Sequence, residues 1–214
     1  WYAASLPPER ERPSLTGAVE VDVAVIGAGF TGLWAALTLA RAGRRVVVLD
    51  AHRVGFGASG RNGGQLNLGF NQSQRQLEAQ LGETRAAALW DLAEAARAQV
   101  RDFCAAHAPE ASYRPGAAYG IYDQTDLAGL RAESEHLEKR YGYRTEVLGQ
   151  RGFAELVKSP LYRGGMMDPG GGHVQPLACV RALARAAEAA GAVIHETTEV
   201  TAITPRPRLV LSTP

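Results

Sequence analysis

The chain has 214 residues, of which 46% are hydrophobic and 21% charged, and its formal net charge at pH 7 is +1. This length can bury a core in one large domain or two small ones, and the composition is ordinary for a globular protein. The near-neutral charge and scattered arginines exclude a general nucleic-acid or acidic-membrane binder, since neither partner would meet a basic stripe.

The start, WYAASLPPERERPSL, is polar and proline-bearing and carries no secretory signal. Trp1 stands where a methionine would begin a gene product, so the chain is expected to start inside a longer one. A first strand is predicted over 23–26, where apolar and mostly β-branched residues follow one another as in a strand buried on both faces. Gly27, Gly29 and Gly32 then fit G-x-G-x-x-G. The first permits a tight strand-to-helix turn, the second lets a pyrophosphate approach the backbone, and the third lets the helix pack closely on the strand. Leu33, Leu37 and Ala40 recur at helical spacing, and Gly43 is the expected helix stop. A second strand over 46–49 ends at Asp50, where the ribose hydroxyls of a dinucleotide would arrive. The combination of strand, glycines, helix, second strand and terminal acid predicts dinucleotide binding, and Asp50 suits FAD or NAD equally.

The next stretch, VGFGASGRNGGQLNLG, brings Gly55, Gly57, Gly60, Gly63 and Gly64 directly after the acid-terminated strand. Here the sequence resembles the FAD-dependent oxidoreductases of the D-amino acid oxidase superfamily, in which a GxS/T…GG segment follows the second strand and runs along the flavin. GASGRNGGQ looks particularly like the gamma-glutamylputrescine oxidase group. The lead-in WYAA, the motif DVAVIGAGFTGL and the later GGHVQPLACVRALARAAEAAGAVIHETTEVTAI are similar as well. The resemblance implies a Rossmann-like α/β FAD-binding domain over 1–71 and 173–214, with an inserted α+β substrate domain over 72–172, incomplete at the C-terminus. It places Gly27, Gly29, Phe30, Thr31 and Gly32 around the pyrophosphate and Asp50 on the adenosine ribose. It places Ser59 on the pyrophosphate, gives Arg61 either a phosphate or solvent, and sets Asn62, Gly63, Gly64 and Gln65 beside the isoalloxazine ring. Backbone near Val200 would bond adenine. Some relatives attach the flavin through a histidine in this loop; no histidine lies between Val54 and Gly69, so the FAD is expected to be non-covalent.

Leu77, Leu81, Leu89, Leu92, Ala96, Val100 and Phe103 predict an amphipathic helix over 74–107 that Gly82 can break in two. The stretch 111–122 reads as strands around a turn, 126–140 as a helix and 162–176 as a turn-rich segment. A helix over 177–190 then ends at Gly191, and strands follow over 192–195, 200–203 and 209–212. His52, His107, His136, His173 and His195 show no metal spacing. His173, in GGHVQP, is the candidate for a pocket role. There is no GxSxG elbow for a serine hydrolase. Cys104 and Cys179 lie far apart without a CxxC pattern, which reads as buried thiols of a reducing, cytoplasmic compartment, and no apolar run approaches the roughly 18 residues of a membrane span.

The resemblance implies oxidation of the C–N bond of an amine or amino acid. A hydride passes from the carbon beside an uncharged nitrogen to flavin N5, water hydrolyses the imine, and dioxygen reoxidises the flavin to give hydrogen peroxide. No acid-base residue is obligatory, and no catalytic side chain is assigned. Substrate candidates are a gamma-glutamylated polyamine, a free polyamine, and sarcosine or another N-alkyl amino acid. An NAD-linked dehydrogenase and a non-catalytic remnant are the alternatives from other classes. Residues 1–214 alone are expected to hold FAD weakly or not at all and to turn over no amine. The sequence leaves the oligomeric state open.

Overall fold

The structure is a computed structural model and describes residues 1–205 and 209–214. In chain order its elements are β1 (Val23–Ile26), α1 (Phe30–Arg41), β2 (Val46–Leu49), β3 (Gln65–Leu66), α2 (Gln74–Leu81), α3 (Glu83–His107), β4 (Arg114–Ile121) and α4 (Asp126–Tyr141). They continue with β5 (Glu146–Gly149), α5 (Gln150–Val157), β6 (Gly164–His173), α6 (Pro176–Ala189), β7 (Val193–His195), β8 (Ala202–Thr204) and β9 (Val210–Ser212). The chain divides into two compact units. One comprises Trp1–Gly64, Cys104–Ser112 and Gln175–Pro214; the other comprises Gln65–Phe103 and Tyr113–Val174. The boundaries expected at 71/72 and 172/173 thus differ from those of the compact units, because β3 already pairs with β6 of the second unit.

In the first unit, β1, β2 and β7 form a parallel sheet in that order, with Val25 opposite Val48 and Val48 opposite Ile194. All four β2 residues are buried, as their unbroken apolar run demands. β1 departs from expectation: Ala24 and Ile26 are exposed, so the strand is covered on one face rather than two. It is the edge of this sheet, and among the described residues nothing covers its other side. Helix α1 buries Leu33, Ala36, Leu37 and Ala40 and packs on α6, whose Val180, Leu183 and Ala184 are almost fully buried. Gly43, at φ +76°, allows the left-handed turn that releases the chain toward β2. Cys104 and Cys179, remote in sequence, are both buried here with their Sγ atoms 3.7 Å apart. β8 and β9 make a separate antiparallel hairpin, and Val200, expected within a strand, lies before β8; pairing begins only where Thr201 bonds the Ser212 carbonyl.

In the second unit the ten-residue β6 is the central strand. β4 pairs with it along one edge, and β3 and β5 share the other. This corrects the turn-rich reading of 162–176. The glycines of β6 serve close packing: a Cβ on Gly165 would run into the Phe153 ring and the Tyr119 carbonyl, and one on Gly172 would sit 2.8 Å from the Arg114 carbonyl oxygen. The stretch 111–122 holds one strand, β4, after a 3-10 turn over Pro109–Ala111. β5 and α5 had no counterpart in the sequence reading. Gly82, at φ +81°, does separate α2 from α3, and Ser73 caps α2 in a reciprocal capping box with Gln76. The buried stripe of α3 is offset from the leucine pattern. Of the predicted residues Phe103 is buried but Leu92 is exposed, and Ala86 and Trp90 take core positions instead. Arg97 also faces inward: its guanidinium turns to the fully buried Asp168 on β6, which also accepts from the Tyr143 hydroxyl and from Gly170 N–H. Burial, followed by that hydrogen bond to Asp168, pushes the Tyr143 phenol well above its usual range.

Candidate functional site

The first unit gathers most of the residues expected at a dinucleotide. Gly27, at φ +99°, makes the turn out of β1, and its N–H still bonds Leu49 of β2. Helix α1 starts at Phe30 with no side chain of Gly29 to cap it, so its first N–H groups point into the turn. One of them, Phe30 N–H, is taken by Ser59 Oγ at 2.9 Å. Those of Gly29, Thr31 and Gly32 have no partner among the described residues. Free N–H groups at the positive end of a helix dipole are the donor set a phosphate requires. The glycines keep the cradle open: a Cβ on Gly29 would lie 2.9 Å from Ser59 Oγ, and one on Gly32 would strike the Gly27 carbonyl oxygen.

Asp50 closes β2 beside this turn. Its Oδ2 accepts from Ala28 N–H at 2.6 Å and its Oδ1 from His52 N–H at 2.8 Å. Each oxygen keeps a further lone pair for a ribose hydroxyl, so the carboxylate can hold the glycine turn and a ligand together. Asp50→Ala is therefore expected to weaken FAD by roughly one to two decades, as for loss of a charge-assisted bond, in a flavin titration of the full-length protein. An unchanged affinity would remove Asp50 from the site.

The loop after β2 is fastened from two sides. Glu196, buried just beyond β7, accepts from Val54 N–H at 2.9 Å and from Arg12 N–H at 3.2 Å. Arg12 is itself buried and bonds Glu188 of α6 through Nε and Nη2, both at 2.9 Å. Burial works against its charge, but the carboxylates of Glu188, Glu196 and Glu9 outweigh that and hold its pKa above the ordinary arginine value. Sequence reasoning missed this network, whose partners lie up to 184 residues apart. Farther along, Asn62 Nδ2 donates to the carbonyls of Ala58 and Ser59, and its Oδ1 accepts from Gly64 N–H. Gly64 adopts φ +73° to complete this bend. Arg61 lies with its guanidinium 4.2 Å above the Phe56 ring, which in turn stacks on His52.

The remaining expected residues are placed differently. Gln65 and His173 belong to the second unit, where they are register partners on β3 and β6, with Arg114 of β4 opposite His173. All three are exposed. Val200 is half-buried in the first unit. Among the described residues, no group of His, Cys, Asp and Glu could hold a metal, and no helix is long and apolar enough to cross a membrane.

Known proteins resemble this chain over most of its length. Residues 22–213 match the DAO family model, described as FAD dependent oxidoreductase. Among curated proteins, the chain is 38% identical over 200 residues to the Probable oxidoreductase OrdL of Rhizobium meliloti, covering 93% of this chain and 47% of that protein. It is 34% identical over 203 residues to the gamma-glutamylputrescine oxidoreductase of Escherichia coli, covering 95% and 48%. Among solved structures, glycine oxidase from Geobacillus kaustophilus superposes with a TM-score of 0.72 at 25% identity, covering 90% of this chain and 51% of that one. The chain spans about half the length of the curated relatives it matches.

Proposed function

The chain belongs to the DAO family of FAD-dependent oxidoreductases, and from that premise we propose that the protein oxidises the C–N bond of an amine or amino acid. The convergence of a bare helix N-terminus, Asp50 and the Ser59 hydroxyl in one unit carries this reading, because together they offer what the diphosphate and ribose of FAD need. Membership of an FAD-dependent family displaces the NAD-linked alternative.

In this proposal Gly29, Phe30, Thr31 and Gly32 surround the diphosphate, with Ser59 turning its hydroxyl proton toward it while Oγ still accepts from Phe30 N–H. Asp50 takes the ribose, and backbone near Val200 takes the adenine. Asn62, Gly63, Gly64 and Gln65 run beside the ring. The absence of histidine between Val54 and Gly69 supports a non-covalent cofactor. Bound FAD supplies the hydride acceptor; the protein supplies placement and exclusion of water. Arg61, with its guanidinium over the Phe56 ring, is the phosphate candidate of the loop. His173, exposed beside Gln65, is the substrate-pocket candidate on the second unit.

The similarity to gamma-glutamylputrescine oxidoreductase supports a gamma-glutamylated polyamine as substrate, and the likeness to glycine oxidase favours a small amino acid, such as sarcosine, as the second reading. Dioxygen is the proposed oxidant. The test is peroxide production by the full-length protein with gamma-glutamylputrescine, putrescine and sarcosine in parallel. Turnover of the first alone supports the primary reading, turnover of sarcosine alone supports the second, and turnover of none contradicts both.

The flavin loop gives an expectation of its own. Gly64 holds a positive φ that a β-branched residue resists, and its backbone is proposed to lie against the ring. Gly64→Val should lose bound flavin while far-UV circular dichroism stays native; a fully yellow variant would place the loop elsewhere.

A further inference from the structure

We propose that Tyr2 is a positioning residue for the flavin: the N-terminal segment is a strap that sets one peptide plane of the flavin loop, and Tyr2 is its buckle. The inference rests on the reading that 59–65 borders FAD. Tyr2 lies in a 3-10 turn over Tyr2–Ser5, and its hydroxyl donates to the Asn62 carbonyl oxygen at 2.8 Å across 60 residues of sequence. The turn is itself held. Gln175 Nε2 donates to the Tyr2 carbonyl at 3.2 Å and reaches Ser5 Oγ at 3.4 Å. Gln175 is a rigid post, because its Oε1 caps α6 by accepting from Ala178 N–H at 2.7 Å and its own N–H bonds the Ala111 carbonyl. Further along the strap, Pro7 accepts from Arg181, Glu9 pairs with Arg185, and Arg12 enters the buried carboxylate network. All of these residues belong to the first unit.

The consequence follows from peptide geometry. A trans peptide is planar, and its C=O and N–H point in opposite directions. Fixing the Asn62 carbonyl on Tyr2 therefore aims the Gly63 N–H the other way. Within the loop, Asn62 Oδ1 takes the next N–H, that of Gly64, and Asn62 Nδ2 is spent on Ala58 and Ser59. The Gly63 N–H is left without a partner among the described residues, on a residue with no side chain to shield it. It is a pre-aimed donor for an acceptor atom of the flavin ring, and Tyr2 aims it. This gives the aromatic residue of the WYAA lead-in a task that composition does not suggest.

The test is Tyr2→Phe in the full-length protein, which removes the hydroxyl and keeps the ring. Tyr122→Phe is the control, since it removes an exposed tyrosine hydroxyl of the second unit, outside the strap. FAD affinity, the visible circular dichroism of bound flavin, and the melting of the apoprotein are measured for each. Tyr2→Phe is expected to weaken FAD about two- to tenfold, the size of one neutral hydrogen bond, and to change the visible flavin dichroism, while the apoprotein melts as wild type. Tyr122→Phe should leave flavin affinity and dichroism unchanged. Unaltered affinity and dichroism in Tyr2→Phe, or equal losses in both variants, would overturn the inference. Gly64→Val separates the two levels. If it loses flavin while Tyr2→Phe does not, the strap fails alone; if it keeps flavin, the reading of the loop fails first.

Discussion

Arg12→Ala is expected to destabilise the chain by about 3–5 kcal/mol, the cost of leaving buried carboxylates without their cation. The side chain of Arg12 is 2% exposed and that of Glu196 5%, so water cannot take over the solvation of either. The damage reaches the candidate site, because Glu196 also holds Val54 N–H at the root of the loop after β2. The network has an acid limit of its own. Burial pushes the Glu188 carboxyl up, but hydrogen bonds and charges from Arg12 and Arg10 outweigh it and leave the pKa below the ordinary value of 4.5. A carboxyl with a depressed folded pKa contributes stability that is fully present above its unfolded pKa and is lost as pH falls through the folded one. The resistance of wild type to urea should therefore fall below about pH 4.5, and in Arg12→Ala that part of the pH dependence should shrink. A variant that unfolds with the wild-type midpoint would show that the network carries no stability.

Gly32→Val is expected to abolish flavin retention. The first added carbon strikes the Gly27 carbonyl oxygen and stands 3.0 Å from Val25 Cγ1, and neither the turn nor the strand can retreat without moving the other. Overpacking of this kind costs roughly 1–3 kcal/mol, and it also shifts the N–H groups of the α1 start out of register with a diphosphate. Retained yellow colour after desalting would show that the glycine is dispensable and the phosphate lies elsewhere.

The parts of the molecule that were readable in the sequence share a local cause. β1, α1 and β2 announce themselves because apolar period, turn glycines and the terminal acid all fall within 30 residues and agree with one another. α6 is legible for the same reason. β6 was hidden because GGMMDPGGGH lacks the β-branched residues that mark a strand; its glycines answer to the Phe153 and Tyr113 rings of neighbouring elements, which a linear reading cannot see. α3 was legible as a helix but not in its orientation, since a charged residue, Arg97, faces inward to Asp168 across 71 positions. At the candidate site, Gly27, Gly29, Gly32 and Asp50 came from motif spacing and Ser59 from the family resemblance, and the structure brings them together. Tyr2, Arg12, Glu188 and Glu196 were given no role by the sequence. They act through bonds that span 60 to 184 residues, and only the folded chain connects them.

The proposed FAD site is expected to take electrons from a C–N bond. The most direct measurement is the visible spectrum of the full-length holoprotein mixed with substrate in the absence of oxygen. The protein is expected to be yellow, with an oxidised flavin band that bleaches on addition of gamma-glutamylputrescine or sarcosine and returns when air is admitted. A colourless protein, or a flavin that stays oxidised against every amine and amino acid offered, would contradict it.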